Sequence, residues 1–162
     1  MADPPEFPFL DSIIEEIWQG KRVVFVPPGT VAAIATNLAF TMGGALWCAA
    51  VLPWLAHATS PSARASVALG GIALLVPQIV VPAVMVARGL AMGRRILVWM
   101  LTAWSLAAGA SALYLAVTLA DLRNAAVVSA TVLALARYCV ATRSYRVFSV
   151  FQERMRARRL RR

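Results

Sequence analysis

Apolar residues gather into four long runs, at residues 30–55, 65–87, 96–120 and 124–142. Each run reaches the ~18 residues at which an apolar segment reads as a transmembrane helix, because ~30 Å of hydrocarbon takes about 20 residues at ~1.5 Å each. A soluble helix of such length keeps a polar face, and these do not. The first three runs contain no Asp, Glu, Lys, Arg or His. The pattern therefore predicts an all-α protein, a four-helix transmembrane bundle with amphipathic helices at both ends.

The amino-terminal segment, residues 1–29, follows a different period. Ile13, Ile14, Ile17 and Trp18 form one apolar stripe of a short helix spanning Ser12 to Gln19. Ser12 with Glu15 has capping-box spacing, Asp11 is an alternative cap, and Gly20 fits a C′ stop. Val23–Val26 reads as an extended apolar strap, and Pro27-Pro28-Gly29 as a turn into the first span. The helix's polar face carries Glu15 and Glu16, although lipid-surface helices are mostly basic. This helix reads either as an interfacial anchor or as a docking element for a partner or for the chain's own tail. Residues 143–162 form that tail, a basic amphipathic helix. Tyr145, Phe148, Phe151 and Met155 make its apolar stripe, and Arg143, Arg146, Arg154 and Arg158 crowd the rest.

Composition agrees with the pattern. The 162 residues are 60% hydrophobic and only 14% charged, against about 45–50% and about 25% in soluble domains. The 16 basic residues are distributed unevenly. Arg64 and Arg123 alone fall in the first and third inter-span segments; the other basic residues fall on the opposite side. The positive-inside rule then places both termini in the cytoplasm of a cell inner membrane. A cleavable signal peptide ending at Ala56-His57-Ala58 is disfavoured, because the run is too long and an acidic segment precedes it. One Lys against fifteen Arg, with abundant Ala, points to a GC-rich bacterial genome.

Polar residues within the runs are few, and each is a functional candidate because burying it is costly. Asn37 and Gln78 are the amides, the latter beside Pro77 and Pro82, which kink a helix and free carbonyls. They read as structural glue or as the start of a polar path. Arg137 lies about two-thirds of the way through the fourth run and reads as a snorkelling side chain or a buried pair. His57, and Asp121 beside Arg123, read as residues at the outer interface. Ser105 with Gly109 and Ala107 with Ser111 have close-packing spacing, and Gly43-Gly44 and Gly70-Gly71 mark the first two spans.

No catalytic or metal constellation is legible. Cys48 and Cys139 lie ~20 Å apart in depth, beyond the reach of a disulfide, and no C-x-x-C, H-E-x-x-H, G-x-S-x-G or phosphate loop occurs. No cofactor is implied. The expected function is therefore that of a small accessory or interaction subunit, of scaffold, assembly, secretion-complex or immunity type. It docks a membrane or cytoplasmic partner through its terminal helices; Glu15, Glu16, Trp18, Arg143, Arg146, Arg154 and Arg158 are the candidate contacts. Anionic lipids are expected at the tail, and nucleic acid is disfavoured. The alternative is an oligomeric channel or carrier with its path at Asn37, Gln78 and Arg137.

Overall fold

The computed structural model describes residues 7–118 and 120–161, side chains at 116–121 excepted. The Asp121 side chain thus lies outside the described residues. The chain forms α1 (Phe9–Trp18), α2 (Thr30–Leu55), α3 (Pro61–Ala87), α4 (Ala91–Thr118), α5 (Ala120–Ala141) and α6 (Arg143–Arg159). Among the described residues there is no strand. Four helices, α2 to α5, are long and apolar enough to cross a membrane.

These four close into a ring in chain order, with α5 packed along both α2 and α4, and α3 bridging α2 and α4. Phe40, Leu75, Leu97, Leu101 and Leu133 meet in its core. Val51, Leu115 and Ala126 fill the far end. The outer surface is also apolar: Val31, Leu38, Met42, Leu69, Leu74, Leu106 and Leu113 are all exposed. A surface of that kind is unfavourable in water and at home in hydrocarbon.

Small residues let the helices approach closely. A Cβ on Gly43 would stand 2.9 Å from Leu133, one on Gly44 2.7 Å from Leu75, and one on Gly71 2.6 Å from Leu52. Gly70 and Gly109 face open space, so Gly109 seats no helix of this chain, although the Ser105 hydroxyl one turn before it is buried. Ser111 does serve packing, since its hydroxyl donates to the Ala107 carbonyl of its own helix and accepts the Trp47 indole N–H at 3.3 Å, whereas Ala107 itself is exposed.

The helix boundaries correct the expected ones in four places. α1 starts at Phe9 behind Pro8, without a side-chain cap. Ser12 therefore lies inside the helix, where its hydroxyl donates to the Phe9 carbonyl, and Asp11 occupies the first turn, where the helix dipole favours a carboxylate. α2 widens into a π-helical stretch at Trp47–Val51. Pro53 follows it, and its ring and missing N–H disrupt regular pairing in the preceding turn. α3 begins at Pro61, capped by the Ser60 hydroxyl, which accepts from the Ala63 N–H. α4 begins at Ala91, which puts Arg94 and Arg95 in its first turns and not in a loop.

The expected Gly20 stop is present. The Gly20 N–H donates to Ile17 and the Lys21 N–H to Glu16, a Schellman motif. His57 ends α2 in the same way with a positive φ of 52°, an exposed structural position for the sole histidine.

α6 lies across one end of the bundle, here called the base. Thr142 turns the chain, with ψ at 153° and its hydroxyl accepting from the Tyr145 N–H. Tyr145 is buried in the bundle core with Phe148 against it. Gly29, which precedes α2, and Gly89, which ends α3, both have positive φ and both touch α6. A Cβ on Gly89 would overlap the Gln152 carbonyl oxygen and stand 3.0 Å from the Arg156 Cβ. One on Gly29 would overlap the Ser144 carbonyl oxygen.

Gly89→Ala is therefore expected to cost at least ~2 kcal/mol, from the left-handed conformation together with the backbone overlap. Gly70→Ala, in open space within a helix, is expected to be neutral or to stabilise by up to ~1 kcal/mol. Thermal unfolding of the two variants in one detergent checks the contrast; equal melting temperatures would refute the proposed seat of α6.

Candidate functional site

The base of the bundle carries two arrangements of charged side chains. The first joins α1 to α6. Phe7, Leu10 and Ile14 are buried against Phe151, flanked by Ile13, Ile17, Trp18, Val147, Val150 and Met155. The tail stripe thus divides its work: Tyr145 and Phe148 face the bundle, whereas Phe151 and Met155 face α1. Each of the four buried residues contributes roughly 1.5–3 kcal/mol when removed from water, an upper figure because unfolded chains are already partly collapsed.

Ion pairs border this seam. Arg158 Nη1 binds Glu15 Oε2 at 2.6 Å, and Arg154 Nη1 binds Asp11 Oδ1 at 2.8 Å and the Phe7 carbonyl at 3.0 Å. Arg143 lies over the Phe7 ring at 5.8 Å. The Glu15 carboxyl is held below its ordinary value chiefly by the Arg158 hydrogen bond, with Gln19 adding a second. The Arg158–Glu15 pair is solvent-screened and only Arg154 is mostly covered, so the apolar seam supplies most of the binding and the charges fix its register. Glu16 turns away from the tail and pairs with Arg22 at 3.3 Å.

The second arrangement is a hollow of about 250 Å³ lined by Arg94, Arg95, Val98, Trp99, Arg137 and Arg146, together with Val140 and Ala141. Three helices meet there. Arg94 and Arg95 come from the first turns of α4, Arg137 from the end of α5, and Arg146 from the first turn of α6. Arg137 Nε donates to the Thr102 hydroxyl at 3.0 Å, and that hydroxyl donates on to the Val98 carbonyl at 2.7 Å. A second hollow shares Ala141 and Arg146 and adds Arg143 and Phe7. Burial raises the Glu153 carboxyl, while Arg94 and Arg95 pull it down. Burial likewise pushes the Tyr145 hydroxyl up to about 12, with Arg94 opposing, so this phenol stays protonated near neutral pH.

The two candidate amides lie elsewhere. Gln78 Nε2 donates to the Leu74 carbonyl at 3.1 Å, and its Oε1 accepts the Trp104 indole N–H at 2.8 Å. Pro77 removes the partner of the Ala73 carbonyl, so Gln78 binds one residue beyond it. Asn37 Nδ2 donates to the Ala33 carbonyl at 2.9 Å, and its Oδ1 is buried without a hydrogen-bond partner. Arg137 is thus brought together with other arginines and not with either amide. Cys48 and Cys139 are both free.

Arg94, Arg95, Trp99, Thr102 and Glu153 were absent from the sequence-derived candidates. The signal for them was Gly89. A C′ glycine there starts α4 at Ala91, and the i, i+3, i+4 spacing of Arg94, Arg95, Val98, Trp99 and Thr102 then forms one helix face.

Leu10→Ala should weaken the α1–α6 seam by ~2–5 kcal/mol, whereas Glu15→Gln should weaken it far less. Hydrogen exchange across residues 9–18 measures both. A depressed folded-state carboxylate value stabilises at pH above the ordinary value, and that gain is lost as pH falls through the depressed one. Protection of α1 should therefore stay level from about pH 8 to about pH 5 and drop below about pH 4. A Glu15→Gln effect equal to that of Leu10→Ala would reverse the ranking.

The chain matches no protein-family model, no curated protein and no solved structure.

Proposed function

We propose that this chain is a multi-pass membrane protein with both termini in the cytoplasm. It works as a non-enzymatic interaction subunit that presents the α1–α6 platform to a protein partner. The observation that carries this reading is the platform itself. Orientation alone requires basic residues near the membrane, not a buried seam between two helices with ion pairs along its border. A platform packed onto the bundle end is a stiff surface at a fixed height above the bilayer.

Membrane placement is supported by the four apolar helices, their apolar outer surface and the concentration of arginines at the base. Beside the platform, Val23, Phe25 and Val26 are exposed, Phe25 at 92%. A strap of that composition at the bundle's edge suits the headgroup boundary. The partner meets the outward face of α1, where Ser12, Glu16 and Gln19 are exposed. The channel alternative has less in its favour, because both ends of the Gln78 amide are spent on neighbouring helix groups.

Native mass spectrometry of the gently solubilised protein tests the assignment. A stoichiometric partner should be retained by Gln78→Leu and lost on Glu16→Arg. A homo-oligomer whose flux in liposomes disappears on Gln78→Leu would reinstate the pore, and a bare monomer without flux would refute both readings. Orientation has its own test. In a background free of Cys48 and Cys139, an impermeant maleimide applied outside should label Ser60→Cys and spare Met92→Cys.

A further inference from the structure

Like charges converge in the hollow at the base more closely than orientation demands. Four guanidinium side chains from α4, α5 and α6 line one cavity with Trp99. Within the described residues, Arg94, Arg95 and Arg137 form no ion pair. Arg137 is held at Nε by Thr102, which restricts its guanidinium, and the Arg137 side chain lines the cavity. A planar fork held in place loses less entropy on binding a phosphate, which it can take with two parallel hydrogen bonds. The cavity also lies beside the first turns of α4 and α6, whose positive dipole ends favour an anion.

We propose that this hollow binds a phosphate-bearing anion, held by Arg94, Arg95, Arg137 and Arg146. The anion is either the headgroup of an anionic phospholipid or a phosphate from solution. The lipid source rests on the membrane placement argued above; the anion site itself does not. Trp99, 75% exposed, lies one helical turn beyond Arg95, and Tyr138, 70% exposed, directly follows Arg137, both on the apolar outer surface. Aromatic side chains of that kind sit at headgroup level, where an acyl chain would run up the bundle from a phosphate seated in the hollow. Glu153 is the acid that offsets Arg94 and Arg95, so it limits affinity.

The test uses the full chain in a neutral detergent, with native mass spectrometry and thermal shift read together. The three probes are phosphatidylglycerol, phosphatidylcholine and inorganic phosphate. One phosphatidylglycerol should bind saturably, and phosphatidylcholine should not compete for it. Arg94→Gln and Arg137→Gln should each weaken binding by about tenfold or more, as loss of a charge-assisted hydrogen bond implies. Arg159→Gln with Arg161→Gln, a larger loss of charge at the exposed tail end, should leave that site unchanged. Glu153→Gln should tighten binding, a change in the direction that misfolding cannot produce. Stabilisation by inorganic phosphate that depends on Arg94 and Arg137, with nothing added by lipid, would assign the solution source. Equal binding of both lipids with no phosphate effect, equal losses in the tail-end variant, or no tightening in Glu153→Gln would overturn the site. Labelling from the opposite side at positions 60 and 92 would overturn the placement alone and leave the anion site standing.

Discussion

Everything at the base depends on α6 meeting two other segments backbone to backbone. Gly29 and Gly89 both hold a left-handed conformation and both face α6 with no room for a Cβ. With either turn pushed outward by a side chain, α6 would lift from the bundle. Tyr145 would lose its buried position, and α1 would lose the surface it packs on. Arg146 would also leave the cavity it lines with Arg94 and Arg137. The two turns therefore couple three features that look separate along the chain.

The arginines at the base then divide by what they touch. Arg154 and Arg158 reach α1 and are neutralised by Asp11 and Glu15. Arg143 lies over Phe7. Arg94, Arg95, Arg137 and Arg146 converge on a single cavity, with Glu153 offsetting two of them. This division follows from the angle of α6: residues seven or eight apart along it, such as Arg146 and Arg154, serve the cavity and the α1 seam respectively. A tail lying free on a lipid surface would have no reason to sort its arginines in this way.

Legibility in the sequence followed the same division. The four long apolar helices were readable because run length and absence of charge are one-dimensional properties. The Gly20 stop was readable because its Schellman contacts lie within five residues. The capping assignment at Ser12 failed because Pro8 also supports a helix start, and local spacing does not choose between two possible starts. The acidic helix and basic tail were each visible, but their register against each other depends on the Thr142 turn and the Gly29 contact, 113 positions apart in the chain. Arg94 and Arg95 fall just outside the third apolar run, because a boundary drawn from hydropathy stops at the first arginine. The helix itself begins where its N–H groups find partners.

That last point bears on what the surplus of positive charge is for. Arginines in a loop satisfy the positive-inside rule from any conformation, because only the side of the membrane matters. Arginines built into helix ends, with one guanidinium tied to Thr102 and all four lining the same space, meet a geometric requirement that topology does not impose. Their mutual repulsion has to be offset by something that stabilises the folded base. Within the chain, Glu153 is half-buried and Arg94 and Arg95 draw its carboxyl down, which offsets part of that repulsion.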